Sequence, residues 1–80
     1  MHEIPWSTPV RLRFEDGTRM SIDGPRDGLN CLLQMWPTDH GEFYEKAKRQ
    51  CYAALEHVKT PDEARETFIA ASKEASLIVQ

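Results

Sequence analysis

Val10, Leu12 and Phe14 alternate with Arg11 and Arg13, and Met20 and Ile22 resume the alternation after Glu15-Asp16-Gly17. A period of two marks a half-buried strand, so residues 10–23 predict an antiparallel hairpin. Register decides the loop. A two-residue Asp16-Gly17 turn would set Leu12 against Ser21 and mix the two faces. A three-residue loop of Glu15, Asp16 and Gly17 sets Leu12 against Met20 and Val10 against Ile22, and partners in a ladder share a face. The three-residue loop is therefore expected, with Gly17 left-handed in a bulge. It puts Arg13 opposite Arg19, with Arg11 beside them. Like charges directly opposite are mildly unfavourable, so something acidic is expected over that face, from this chain or from a partner.

The period then changes to that of a helix. Gly24-Pro25 starts the first, with Asp27 in its first turn, and Leu29, Leu32, Leu33 and Trp36 fall on one side. Cys31 and Met35 lie towards the other side, which suggests a helix sandwiched between the hairpin and the later helices. Pro37 disfavours helical geometry at Trp36 and stops it. Asp39 to Glu42 has capping-box spacing, with Gly41 letting the corner pack closely, and opens a second helix whose buried stripe is Tyr44, Ala47, Cys51, Leu55 and Val58. Thr60-Pro61-Asp62-Glu63 combines an N-cap, a proline at the first position and a capping-box glutamate. Ala64, Phe68, Ala71, Ala75 and Ile78 are the stripe of that third helix. The apolar tail Leu77-Ile78-Val79 either docks or offers a contact surface.

The expected architecture is α+β, a single domain over 1–80 in the order β-β-α-α-α. An extended arm over 1–9, anchored by Trp6, leads into the hairpin over 10–23 and helices over 25–36, 39–58 and 60–78. A lone hairpin is marginal without cover, and its open edges suggest pairing with a second copy. Eighty residues bury only about 60–65% of the surface the unfolded chain exposes, so the core is thin.

Composition narrows the function. A net charge of −3 argues against a general nucleic-acid binder while leaving room for a local basic patch. Two cysteines do not make a disulfide framework. Pro5 and Pro9 interrupt any leader-like run, and no apolar stretch approaches the roughly 20 residues that span a bilayer. The expectation is a soluble cytoplasmic protein with reduced thiols and no membrane partner.

The residues also carry a resemblance. Trp6 and Pro9-Val10 precede the first strand, and Gly24-Pro25 leads to a leucine-rich helix ending in Trp36-Pro37. Gly41 comes next with Tyr44, Ala47 and Cys51, then Ala64-Arg65, Phe68-Ile69, Ala71 and Glu74-Ala75. In these the chain resembles the small bacterial, rhizobial-type family catalogued as domain of unknown function 982, over nearly its whole length. The resemblance implies a stand-alone bacterial cytoplasmic domain and no particular chemistry.

No set of residues announces a reaction. Cys31, His40, Cys51 and His57 lack the paired spacing that zinc sites use, so no metal or cofactor is expected. Cys51 in an apolar stripe is badly placed for a thiol nucleophile. Asp39, His40 and Glu42 are acid–base types at one corner, but capping accounts for Asp39 and Glu42, and a helix N-terminus disfavours His40 as a cation. The chain is accordingly read as a non-enzymatic protein–protein interaction or accessory module, whose partner is another protein or a second copy in a homodimer. Its candidate binding residues are Arg11, Arg13 and Arg19, with Trp36 as an aromatic anchor at the corner. The alternative is a nucleic-acid-associated regulator using the same arginines. It ranks second because no aromatic accompanies them to stack on bases.

Overall fold

The computed structural model describes residues 5–36 and 41–79. Strands β1 (Val10–Arg13) and β2 (Arg19–Ile22) are followed by helices α1 (Pro25–Gln34), α2 (Glu42–Leu55) and α3 (Pro61–Glu74), and a short strand β3 (Ile78–Val79) ends the order. The architecture is α+β, with an antiparallel sheet in the order β2-β1-β3.

The hairpin has the expected register: Val10 opposite Ile22, Leu12 opposite Met20 and Arg13 opposite Arg19. The Phe14 N–H donates to the Thr18 carbonyl at 2.8 Å, and the Gly17 N–H donates back to the Phe14 carbonyl at 2.9 Å. That closes a three-residue loop, with Gly17 at φ +91°. A hydrogen bond from the Thr18 N–H, 2.9 Å from Asp16 Oδ1, steadies the loop and lowers the Asp16 pKa.

The third strand corrects the expectation of a two-stranded sheet and of a helix running to 78. Leu12 faces Val79 and Arg13 faces Ile78 across β1, so the inner edge of the hairpin is covered. Ile78, expected in a buried helical stripe, is 52% exposed. The second helix likewise stops at Leu55 rather than 58, and Val58 is 72% exposed. Both helices end in the same way. His57 (φ 62°) and Ser76 (φ 65°) are left-handed. Val58 and Leu77 donate to the carbonyls of Ala53 and Ser72, and His57 and Ser76 donate to those of Ala54 and Lys73. This double bond pattern is the Schellman stop, which usually places glycine at the left-handed position.

The start of α2 is capped from far away. Its N-cap is Gly41, not Asp39, which lies outside the described residues, as do Pro37 and His40. The Glu74 carboxylate, from the last turn of α3, accepts from the N–H groups of Phe43 (3.2 Å) and Tyr44 (3.3 Å). A Cβ at position 41 would overlap that carboxylate, so glycine is needed for the close approach. Glu74→Ala should cost about 1 kcal/mol, in the range of other lost caps. Gly41→Ala should cost up to about as much by displacing the same carboxylate; urea unfolding of the two variants checks both. At α3 the expected capping box is present, with Glu63 N–H on Thr60 Oγ1 (3.3 Å) and Thr60 N–H on Glu63 Oε2 (2.9 Å).

α2 and α3 pack closely through small side chains, Ala47, Cys51 and Ala54 against Ala64 and Ala71. α3 lies against β1 and β3, while α1 packs chiefly on α2. Phe68 fills the centre of the core, with the Trp6 ring at 5.5 Å and the Trp36 ring at 5.6 Å. The arm is held by the Trp6 N–H on the Asp23 carbonyl (2.8 Å) and by Arg65 Nε–H on the Thr8 carbonyl (2.7 Å). The sandwich expected for α1 is incomplete, since it stands off from β2. Leu33, expected on its buried side, and Met35 are exposed, whereas Cys31 is buried.

Candidate functional site: an arginine row on the open sheet face

Side chains alternate across a strand, so burying Val10, Leu12 and Ile22 sends Arg11, Arg13, Arg19 and Ser21 to the opposite face. The helices pack on the first face, and the arginines are exposed on the second. Because Phe14 and Thr18 exchange a ladder hydrogen bond, the next pair, Arg13 and Arg19, is of the non-bonded kind, in which side chains approach more closely. Ile78 on β3 flanks Arg13, which gives a row Ile78–Arg13–Arg19 across three strands. Arg11, Leu12, Arg19, Met20 and Ser21 line a shallow depression of about 230 Å³ on this side of the sheet.

Among the described residues no carboxylate bonds to the guanidinium of Arg11, Arg13 or Arg19; the described ion pair, Lys48 with Glu45, lies along α2. On this face the Asp23 carboxylate accepts from the Ser21 hydroxyl at 3.4 Å and forms no ion pair with the three arginines, so the expected acidic cover is not completed by the described part of the chain. What the arrangement can do is electrostatic: three fixed cations beside a serine hydroxyl and an exposed isoleucine accept an anionic surface.

Of the residues singled out in the sequence, Arg11, Arg13 and Arg19 come together and Trp36 does not join them. Trp36 is half-buried, 5.6 Å from Phe68 and 6.1 Å from Tyr44, and its Nε1–H has no acceptor among the described residues. Ser21 and Ile78 complete the row. Ser21 follows from the hairpin register, as the partner of Arg11, whereas Ile78 depends on β3.

The thiols are placed apart from this face. Both are buried, which pushes Cys31 up to about 11 and Cys51 up to about 12. The folded chain thus holds two protons that the unfolded chain releases from about pH 9 upward. This contribution is complete below that pH and declines as pH rises through the folded values. Urea midpoints should therefore fall between about pH 9 and 11, and less so in a Cys31→Ala/Cys51→Ala variant. At neutral pH a thiol reagent should modify the native chain only as fast as it unfolds. His57 is exposed at the end of α2, and among the described residues no three histidine, cysteine, aspartate or glutamate side chains gather as a metal site.

Fold and face together define a small α+β domain with one covered and one open sheet surface. The chain belongs to the family described as "Protein of unknown function (DUF982)", whose sequence model matches residues 8–79. No curated protein and no solved structure matches it. No helix among the described residues is long and apolar enough to cross a membrane.

Proposed function

We propose that the chain is a non-enzymatic interaction module that receives an acidic protein surface on its open sheet face. The observation that carries this is the Arg13–Arg19 pair, set directly opposite on an exposed face with no carboxylate bonded to either guanidinium among the described residues. A cross-strand like-charge pair lowers stability by a few tenths of a kcal/mol and is relieved when an anion binds over it. In a chain of net charge −3, concentrating cations there sets a local field opposite to that of the whole. Protein is favoured over nucleic acid because the row is flanked by Ile78 and Ser21, which offer no ring for a base.

The test is calorimetric titration at low salt with an acidic polypeptide and, separately, with a single-stranded oligonucleotide of similar charge. The acidic polypeptide should bind more tightly, and Arg11→Ala/Arg13→Ala/Arg19→Ala should weaken it by roughly tenfold or more, as loss of several charge-assisted contacts requires. No binding by the native chain, or unchanged binding by the triple variant, refutes the reading. Preference for the oligonucleotide, with affinity falling steeply in salt, moves the arginines to a nucleic-acid role.

A further inference from the structure

β2 is an edge strand. Its partner β1 is bonded on both sides, to β2 and to β3, while the far side of β2 pairs with no strand among the described residues. The ladder bond between Phe14 and Thr18 fixes which groups point where. Met20 and Ile22 turn their N–H and C=O towards β1, and Arg19 and Ser21 turn theirs outward. Beyond Arg19 and Ser21 the described residues provide no further strand. The open stretch is limited at one end by the hairpin loop. At the other end the arm closes it, through the Trp6 N–H on the Asp23 carbonyl.

α1 returns alongside this edge without closing on it. Two adjoining hollows, about 410 and 360 Å³, lie between them and share Gln34 and Met35. The first reaches Phe14 at the hairpin end and the second reaches Met20, Ile22 and Cys31. On the helix side the lining residues Asp27, Asn30, Cys31, Gln34 and Met35 recur at intervals of three and four, so they form one stripe facing the strand. A strand edge whose polar groups have no strand partner among the described residues, beside a helix separated from it by a hollow, is the geometry in which an extended peptide adds to a sheet.

We infer that the groove between β2 and α1 takes an extended segment of a partner protein, about four residues long, with acidic and apolar side chains in alternation. This rests on the reading of the arginine face and names its partner. Successive side chains of an added strand point to opposite faces. One set shares the outer face with Arg19, one strand removed from Arg11 and Arg13, where acidic groups are matched at the loop end, away from the Asp23 carboxylate that the Ser21 hydroxyl holds. The other set points into the groove towards Met20, Cys31 and Met35, where apolar groups fit. Glu15, Asp16 and Asp27 at the groove's ends disfavour acidic side chains inside it and so enforce the alternation. A second copy of β2 fits the charges less well, since it brings another Arg19 to the same face.

The experiment uses a labelled peptide of alternating glutamate and valine and reads fluorescence anisotropy. The full chain is compared with Ser21→Pro and with Arg11→Ala/Arg13→Ala. The Ser21 N–H points away from β1, so proline is compatible with this edge position while removing a donor and blocking the approach of a strand. Ser21→Pro should bind roughly tenfold more weakly or worse with its melting temperature kept, and a peptide N-methylated at every second amide should bind the native chain as weakly. The methylated peptide decides the matter if Ser21→Pro does not fold. A peptide of equal composition with its glutamates in one block should also bind more weakly. If Ser21→Pro and the methylated peptide bind as well as their parents while Arg11→Ala/Arg13→Ala does not, strand addition is wrong and the arginine face stands. If the native chain does not bind the peptide, or both variants bind it normally, both readings fail. Sedimentation showing a dimer that Ser21→Pro turns into a monomer overturns the inference by giving the edge to a second copy.

Discussion

Phe68→Ala should lower stability by about 3–5 kcal/mol, the usual cost of emptying a buried phenylalanine site. The side chain has no exposed surface and stands between the rings of Trp6 and Trp36, at 5.5 and 5.6 Å. Tilted and edge-on aromatic pairs contribute beyond their buried area, by about 0.5–1.5 kcal/mol each, within that total. Collapse to fill the space is hindered on the Trp6 side. Trp6 is held by its own N–H bond to Asp23 and already touches the Gly28 backbone, where an added Cβ would sit 3.1 Å from the indole. Domains keep roughly 0.05–0.15 kcal/mol per residue, which for this chain is about 4–12 kcal/mol. The loss is thus a large share of the whole, and the melting temperature should fall by about 20 °C. Circular dichroism gives the shift, and indole fluorescence should move to the red as both tryptophans lose their neighbour. Phe68→Leu, which keeps most of the volume but loses both ring pairs, should cost less than Phe68→Ala, roughly 1–3 kcal/mol. A melting temperature for Phe68→Ala within a few degrees of native would show that the three rings do not form the centre of the core.

Val10→Asp should leave the chain largely unfolded at 25 °C, whereas Arg13→Glu on the same strand should leave it as stable as before or slightly more so. Val10 is 1% exposed and faces Ile22, equally buried. An ionised carboxylate there loses its hydration inside the apolar core, a cost of several kcal/mol in a small domain. Arg13 lies on the open face opposite Arg19, and reversing its charge replaces a repulsive cross-strand pair with an attractive one, worth a few tenths of a kcal/mol. Thermal melts of the two variants measure the contrast. Equal destabilisation by both would mean that the open face is covered and that the register carries no functional meaning.

The hairpin was legible because two independent signals agreed. Alternation assigned the faces, and only one loop length kept the apolar set together. The arginine row came from the same register, as did the start of α3 from a cap whose partners are three residues apart. Other features rest on contacts that no short window contains. β3 continues the apolar spacing of α3, so Ile78 reads as the next residue of the stripe after Phe68, Ala71 and Ala75. What breaks the helix is Ser76 in a left-handed conformation, and serine carries no such signal. His57 conceals the end of α2 in the same way. The Glu74 cap joins residues about thirty positions apart, where the nearer Asp39–Glu42 pattern suggested a local solution. The groove beside β2 arises because α1 leans on α2 instead of on the sheet. Apolar spacing shows which side of a helix is buried but not against which neighbour.

The strand that pairs with β1 on its inner edge comes from the far end of the described chain, while β1 comes from near its beginning. During synthesis the hairpin, α1 and most of the core emerge before that strand does. Until it docks, β1 presents a bare edge bounded by Arg11 and Arg13, whose mutual repulsion discourages two nascent chains from pairing there. The cations on the open face are therefore placed as gatekeepers for an unfinished sheet.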